Sequence, residues 1–150
     1  MKKLVVLLAF VLSACAALPT PETTVTPRAP QVLRMEDNPH APQIEDVKKV
    51  RAGVVITAVN LSERVDLNPA RIEVNFLGSM PSTCNDLRLE VSPPNKEYQI
   101  HIAAYSLIDP NTNCENVFQQ FETQILLGAY SPGRYFIWVN DQYIGDFVAY

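Results

Sequence analysis

Short runs in which apolar and polar residues alternate constrain this chain more than any other feature. In residues 71–77, Ile72, Val74 and Phe76 share one side of an extended chain, and Arg71, Glu73 and Asn75 lie on the other. A two-residue period is typical of a β-strand with one buried face. Further runs occupy residues 87–91, 98–105, 121–127 and 134–139, and a β-branched run at 54–59 predicts a buried strand.

Turn-forming residues separate these runs. Residues 61–69, 92–95 and 128–133 predict loops or turns, and Asn140-Asp141 suits a tight hairpin turn. Gly145 predicts a bulge in the last strand, while residues 44–50 fit either a helical turn or a lead-in strand. Because about seven short strands alternate with turns and no long helix is evident, the sequence predicts an all-β, antiparallel β-sandwich.

The amino terminus has the order of an export signal. Lys2 and Lys3 precede the apolar run 4–12, which is too short to span a bilayer. The residues Leu12-Ser13-Ala14-Cys15 resemble the lipobox of bacterial lipoproteins. The resemblance implies that residues 1–14 are a signal peptide and that lipid on Cys15 anchors the exported protein to the cell membrane or an outer membrane. The alternative is an ordinary signal peptide that is cut elsewhere.

Residues 15–43 are rich in proline and threonine and show almost no apolar periodicity. Such a segment buries too little apolar surface to offset the entropy of ordering. We therefore expect a disordered linker at 15–43 and a folded domain at 44–150. A proline-rich recognition motif is the weaker alternative, because no basic residue suitably flanks a PxxP pair.

Cys84 and Cys114 remain once Cys15 is assigned to the anchor. In an oxidising compartment we expect them to form a disulfide, and the closed loop of about 30 residues predicts a stabilisation of roughly 3–4 kcal/mol. A redox or metal site is the alternative. The chain has no CxxC, and neither His40 nor His101 stands at ligand spacing to a cysteine. On its strand, His101 is expected to point outward as a solvated residue.

The charge balance is mildly acidic. The formal net charge of the chain is −4, with 12 basic and 16 acidic residues, and it becomes −6 when Lys2 and Lys3 leave with the signal (10 against 16). This balance argues against nucleic acid as a partner, which would require a basic face. It also argues against binding of anionic lipid through the protein surface.

A second resemblance lies near the carboxyl terminus. Residues 132–137, Pro-Gly-Arg-Tyr-Phe-Ile, resemble the G-x-Y-x-C corner of immunoglobulin-like domains, with Ile137 at the position of the second cysteine. The resemblance implies an immunoglobulin-like sandwich without the inter-sheet disulfide. It also implies that Tyr135 hydrogen bonds to the preceding turn.

Residues 70–150 are similar to the small C-terminal sandwich of many bacterial lipoproteins in which a proline- and threonine-rich linker precedes the domain. The similarity supports the fold and one disulfide, and it implies no activity. The matching positions are Gly78, Pro81, Cys84, Cys114, Phe121-Glu122, Gly133, Tyr135, Ile137, Val139 and Asn140, and Asp141 replaces a final glycine.

Counting strand directions predicts which loops share an end of the sandwich. The loops with Cys84 and Cys114 should lie together, beside the Asn140-Asp141 turn and the point where the linker joins. Loops 61–68, 92–96 and 128–133 should form the opposite end, facing away from the membrane. Loops on a rigid scaffold commonly bind partners, so the candidate contacts are Arg64, Lys96 and Tyr130; the alternative is that these are ordinary solvated turns.

No enzymatic motif is present in the sequence. It contains no HExxH, no GxSxG and no glycine-rich phosphate loop, so we expect no catalysis, no cofactor and no metal. The sequence predicts a membrane-anchored binding module for a protein or glycan at the cell envelope. The alternatives are an inhibitor of an exogenous protease or lysozyme, with Pro93-Pro94 as the inserting loop, and a structural subunit of an envelope complex.

Overall fold

The computed structural model describes residues 29–150, so the predicted signal peptide and Cys15 lie outside the described residues. The described residues form ten strands and one 3₁₀ helix, more strands than the seven expected, because several are only two or three residues long. The strands are β1 Val32–Arg34, β2 Val50–Ala52, β3 Val55–Arg64, β4 Arg71–Met80, β5 Asp86–Val91, β6 Gln99–Ile108, β7 Gln119–Leu126, β8 Ala129–Tyr130, β9 Gly133–Val139 and β10 Gln142–Ala149; the 3₁₀ helix is Ile44–Lys48.

Two sheets face each other, which confirms the predicted all-β sandwich. In the larger sheet, β10 pairs with β9, and β9 and β2 pair with different parts of one edge of β6, while β5 pairs with its other edge. The smaller sheet has the order β3-β4-β7. One pairing differs from the antiparallel prediction: residues 99–102 of β6 pair in parallel with residues 136–139 of β9. The chain crosses from the small sheet to the large one between β7 and β9, so β6 and β9 start at the same end.

The core follows the predicted alternation. Ile72, Val74 and Phe76 of β4 are buried, and Ile100 and Ile102 of β6 are at most 1% exposed. Fully burying an apolar side chain of this size contributes about 1.5–3 kcal/mol. Alternating residues of β5, β7 and β9 complete the core between the sheets: Leu87, Leu89, Ile125, Tyr135, Ile137 and Val139.

The sequence predicted a short buried strand at residues 54–59 followed by a loop, and strand β3 differs from this prediction. It continues to Arg64, and most of its residues are exposed or half-buried, with Val55 58% exposed. β3 pairs only with β4 and therefore forms an edge of the small sheet. A run of β-branched residues indicates a strand but does not distinguish a central strand from an edge strand.

Residues 31–40, which we call the strap, lie along the sandwich instead of belonging to a free linker. The backbones of Gln31 and Asp37 hydrogen bond to Ser131 and Leu126, and the Leu89 N–H donates to the His40 carbonyl at 2.9 Å. Backbone hydrogen bonds need no apolar periodicity, so composition did not reveal this packing. In residues 29–43 the structure thus differs from the predicted linker, and the packed chain begins before Ile44.

Arg71 also departs from the alternation, which placed it outside. Its side chain is 5% exposed and lies beneath the strap. The guanidinium donates to the Leu127 carbonyl at 2.7 Å and to the Met35 carbonyl at 3.1 Å. Burial lowers the pKa of Arg71 from its usual value. The arginine therefore fastens the strap to the small sheet.

Three local predictions are confirmed. Cys84 and Cys114 form a disulfide with their Cα atoms 6.1 Å apart, and Asn140 and Asp141 have φ angles of 44° and 65°, as a primed hairpin turn requires. The register of β9 and β10 shifts between Tyr143 and Gly145, where the bulge was expected.

Candidate functional site

The outer face of the large sheet carries a row of aromatic side chains. Since Ile100 and Ile102 point into the core, His101 points outward between them. Pairing places His101 opposite Trp138 of β9, and Trp138 opposite Tyr143 of β10. Three neighbouring strands therefore contribute one ring each to a single cross-strand row.

The rings in this row pack against one another. The His101 and Trp138 rings are stacked, with centroids 6.0 Å apart and planes at 14°, and the Trp138 and Tyr143 rings are 5.5 Å apart at 60°. The indole Nε1 of Trp138 is buried and has no hydrogen-bond partner among residues 29–150. The row thus presents ring surface rather than the indole N–H.

A depression follows the aromatic row along β6. Ala103 comes two residues after His101 and two before Tyr105, so all three point outward and the small methyl group lies between two rings. Glu90 of β5 is paired with Ala103. Burial, and next the charge of Glu90, raise the pKa of Tyr105. The phenol therefore stays neutral at physiological pH.

Arg51 lies over the far wall of this depression. Its guanidinium carbon is 3.7 Å from the centroid of the Tyr105 ring, a cation–π contact. Within the described chain, no carboxylate lies within ion-pair distance of Arg51, whereas Arg64, Arg88 and Arg134 each have a carboxylate partner. The contact with the Tyr105 ring positions the guanidinium, and no acceptor among residues 29–150 is hydrogen bonded to it.

Together these residues form a cleft of about 600 Å³, which we call the outer cleft. Its polar groups come from several elements: Arg51 from β2, His101 from β6, and the turn that joins β9 to β10. The lining residues are Arg51, Ala52, Gly53, Ser92, His101, Ile102, Ala103, Ala104, Tyr105, Asn140 and Asp141.

An ion pair supports the strand next to the cleft. Arg88 is paired across strands with Tyr105 and donates to both carboxylate oxygens of Asp46, at 2.7 and 2.8 Å. These hydrogen bonds lower the pKa of Asp46 to about 2. The 3₁₀ helix that carries Asp46 is thereby held against β5 and keeps the neighbourhood of Tyr105 rigid.

The sequence-predicted contact residues do not form one accessible surface. Tyr130 of β8 is 6% exposed because its ring packs in the core against Tyr135 and Phe147; burial raises its pKa. Its prediction as a partner contact is therefore wrong. Arg64 forms ion pairs with Asp66 at 2.8 Å and Glu73 at 3.0 Å, and Lys96 is exposed in the turn after β5.

The predicted orientation of the ends is also wrong. The Gln31 N–H donates to the Ser131 Oγ at 3.0 Å, so the chain reaches the sandwich beside residues 128–133 rather than at the disulfide end. The strap then runs along the edges of β7 and β5 before the 3₁₀ helix begins. Strand counting missed this, because it started at Ile44.

Sequence reasoning did not identify the outer cleft. The alternation did place His101 outward, and it puts Tyr105 and Trp138 on outer faces by the same rule. The missing information was the parallel pairing of β6 with β9, which aligns His101 with Trp138. The position of Arg51 over Tyr105 had no signal in the sequence.

Neither a metal centre nor a membrane-spanning helix is found within residues 29–150. No three histidine, cysteine, aspartate or glutamate side chains lie close enough there to hold a metal ion. The same residues include no helix that is both long and apolar enough to cross a bilayer.

Residues 74–149 match the family described as the ORF11 beta-sandwich domain. The match extends from β4 to β10 and includes His101, Tyr105 and Trp138, but not Arg51 or the strap. No curated protein and no solved structure matches the chain.

Proposed function

The chain belongs to the ORF11 beta-sandwich domain family, whose description specifies a fold and no activity, and from this premise we propose that it is a membrane-anchored, non-catalytic binding module of the bacterial cell envelope. The anchor rests on the Leu12-Ser13-Ala14-Cys15 pattern. Lipid on the thiol and on the new amino terminus of Cys15 would supply more than one chain, enough for stable membrane attachment.

The tether has a defined reach. Fifteen residues lie between Cys15 and Gln31, which hydrogen bonds to the sandwich. The sixteen Cα–Cα steps between these two residues span at most about 55 Å when fully extended. The domain would therefore work within this distance of the membrane surface, with residues 128–133 nearest to the attachment point.

The outer cleft is the single observation that carries the binding role. Its side chains are held by contacts of their own, since His101 stacks on Trp138 and Arg51 on Tyr105. Arg51 nevertheless keeps donors for a ligand. Sites with rigid walls and a few convergent polar groups lose little entropy on binding and are typical of ligand recognition.

The anchor is tested by fractionation and mass spectrometry. The native protein should stay with the membrane fraction and begin with a lipid-bearing Cys15, and Cys15→Ser should abolish that modification. A mature protein whose unmodified amino terminus lacks Cys15 would refute the anchor.

The binding role is tested by site-specific photo-cross-linking in intact cells. A photoreactive residue at position 103 should yield a covalent adduct with an envelope component. The matched control is position 148, because Val148 is an exposed residue of β10 in the same sheet. Equal labelling at both positions, or none at position 103, would contradict the proposal.

A hydrolase inhibitor is the second candidate, favoured by the rigidity of the turn after Pro93-Pro94. The Asn95 Oδ1 accepts hydrogen bonds from the Glu97 N–H at 3.0 Å and the Gln99 N–H at 2.9 Å. Such a turn could enter an enzyme cleft with little loss of entropy. A panel of proteases and lysozymes tests it: inhibition that disappears in Asn95→Ala would favour this candidate over the first.

A further inference from the structure

We propose that the outer cleft binds a pyranose-containing oligosaccharide, with Ala103 as its floor and His101 and Tyr105 as its walls. This inference rests on the proposed binding role and specifies its ligand. It concerns only the residues of the sandwich, so it can fail while the anchoring of the protein stands.

The dimensions of the cleft fit sugar rings. His101 and Tyr105 are four residues apart on β6, which corresponds to about 13 Å along a strand. Ala103 leaves the space between them open, since its side chain is a single methyl group. The resulting volume of about 600 Å³ lies within the range of roughly 300–1,000 Å³ typical of ligand pockets, so the cleft has room for sugar rings.

The chemistry of the lining also fits a sugar. One face of a pyranose ring consists of C–H groups, which pack against the electron-rich faces of aromatic rings. Trp138, His101 and Tyr143 extend the aromatic surface beyond the cleft. A chain of sugar rings that leaves the depression would therefore continue over the aromatic row.

The polar groups complement hydroxyl and acetamide substituents. Arg51 offers donors, Asp141 offers a carboxylate at the edge of the cleft, and Ser92 offers a hydroxyl group. A sugar hydroxyl both donates and accepts, so it uses such a mixed set fully. The mixture of Arg51 with Asp141 and the nearby Glu90 disfavours a strongly anionic ligand, which would require an excess of cations.

Other occupants fit less well. An extended peptide would need a free strand edge for backbone pairing, whereas the cleft offers side chains on a sheet face. A lipid chain would need a continuous apolar cavity, and this cleft is lined by polar and apolar groups in similar measure. Aromatic rings with interspersed hydrogen-bonding groups favour a carbohydrate.

The sole tryptophan of the chain reports directly on this site, because Trp138 stacks on His101. The native lipidated protein in detergent micelles is titrated with N-acetylglucosamine oligomers, soluble peptidoglycan fragments and neutral glucan oligomers, while Trp138 emission is recorded. We expect a saturable change in emission with at least one glycan. Which of these glycans bind shows whether the natural ligand comes from peptidoglycan strands or from another envelope polysaccharide.

Three variants make the result specific. Ala103→Leu fills the floor from the solvent side and should weaken binding at least about tenfold, and Arg51→Ala should weaken it about fivefold or more. Arg34→Ala removes an exposed arginine of β1 that does not line the cleft and should leave the affinity unchanged. Circular dichroism verifies that each variant is folded.

No saturable emission change with any of these glycans would overturn the inference. Equal affinity of the folded Ala103→Leu variant and the wild-type protein would also overturn it. If position 103 still cross-links to an envelope component in cells, the binding role stands and only the class of ligand is wrong.

Discussion

The side chain of Asn140 hydrogen bonds to both backbone polar groups of Ala104. Its Oδ1 accepts from the Ala104 N–H at 2.8 Å, and its Nδ2 donates to the Ala104 carbonyl at 3.0 Å. At this point β6 has passed the end of β9 and has not yet reached β2. One asparagine thus takes the place of a strand and brings the Asn140-Asp141 turn to the edge of the outer cleft.

Replacing Asn140 with Ala should destabilise the domain by about 1–3 kcal/mol, because two backbone groups of Ala104 lose their partner. A positive φ, 44° for Asn140, adds to the cost for alanine. Asp141→Gly is the matched control: Asp141 has a φ of 65°, which suits glycine, so stability should be unchanged or increased. Urea denaturation measures both, and equal losses in the two variants would contradict this role of Asn140.

Removing the hydroxyl group of Tyr135 should cost about 1–2 kcal/mol, because it leaves a buried carbonyl without its donor. The Tyr135 hydroxyl donates to the Ser131 carbonyl at 2.8 Å, as the corner motif implied. Tyr143→Phe provides the control, since its hydroxyl donates to Asp146 in an exposed contact and should matter little. Chemical denaturation of Tyr135→Phe and Tyr143→Phe compares their free energies of unfolding, and similar stabilities would refute the prediction.

A fragment that begins at Ile44 should be markedly less stable than one that begins at Pro30. It lacks the strap, whose hydrogen bonds contribute about 0.5–1.5 kcal/mol each, and it removes the Met35 carbonyl that accepts from the buried guanidinium of Arg71. Hydrogen exchange should show faster exchange of the Leu126 amide, which donates to the Asp37 carbonyl at 3.0 Å. Equal stability of the two fragments would show that the strap is dispensable.

The ion pair of Asp46 and Arg88 should make stability fall in acid. The hydrogen bonds from Arg88 lower the pKa of Asp46 to about 2, below its value of about 3.9 in an unfolded chain. The folded state therefore binds this proton less readily, and the contribution is present above pH 4 and lost as pH falls towards 2. Asp46→Asn should be less stable at pH 7, and the difference should narrow between pH 4 and 2; a constant difference would contradict this.

Much of the secondary structure could be predicted from local patterns. The alternation in β4 and β6 identified Ile72, Val74, Ile100 and Ile102 as core residues. In a strand with one solvent-exposed face, every second side chain points into the core. The bulge near Gly145 was indicated by the occurrence of a glycine inside a strand run. These predictions succeeded because each depends on residues adjacent in the chain.

The candidate site could not be predicted in this way. Arg51 and Tyr105 are far apart in sequence, and their contact arises only when β2 pairs with the end of β6. Tyr130 failed as a surface residue for the same reason, since its ring packs against Tyr135 and Phe147, which belong to other strands. No period in the sequence specifies which strand lies beside which.

Sequence alone determined the β character of this domain and the core faces of β4 and β6, because side-chain alternation is a property of the covalent chain. With Cys15 assigned to the anchor, it also predicted the pairing of Cys84 with Cys114. Only the tertiary structure decided that residues 31–40 form a strap, that β6 and β9 run parallel, and that Arg51, His101 and Tyr105 border one cleft. Each of these depends on backbone hydrogen bonds between distant segments. Every residue except proline can donate such a bond, so the bonds leave no signature in the order of side chains.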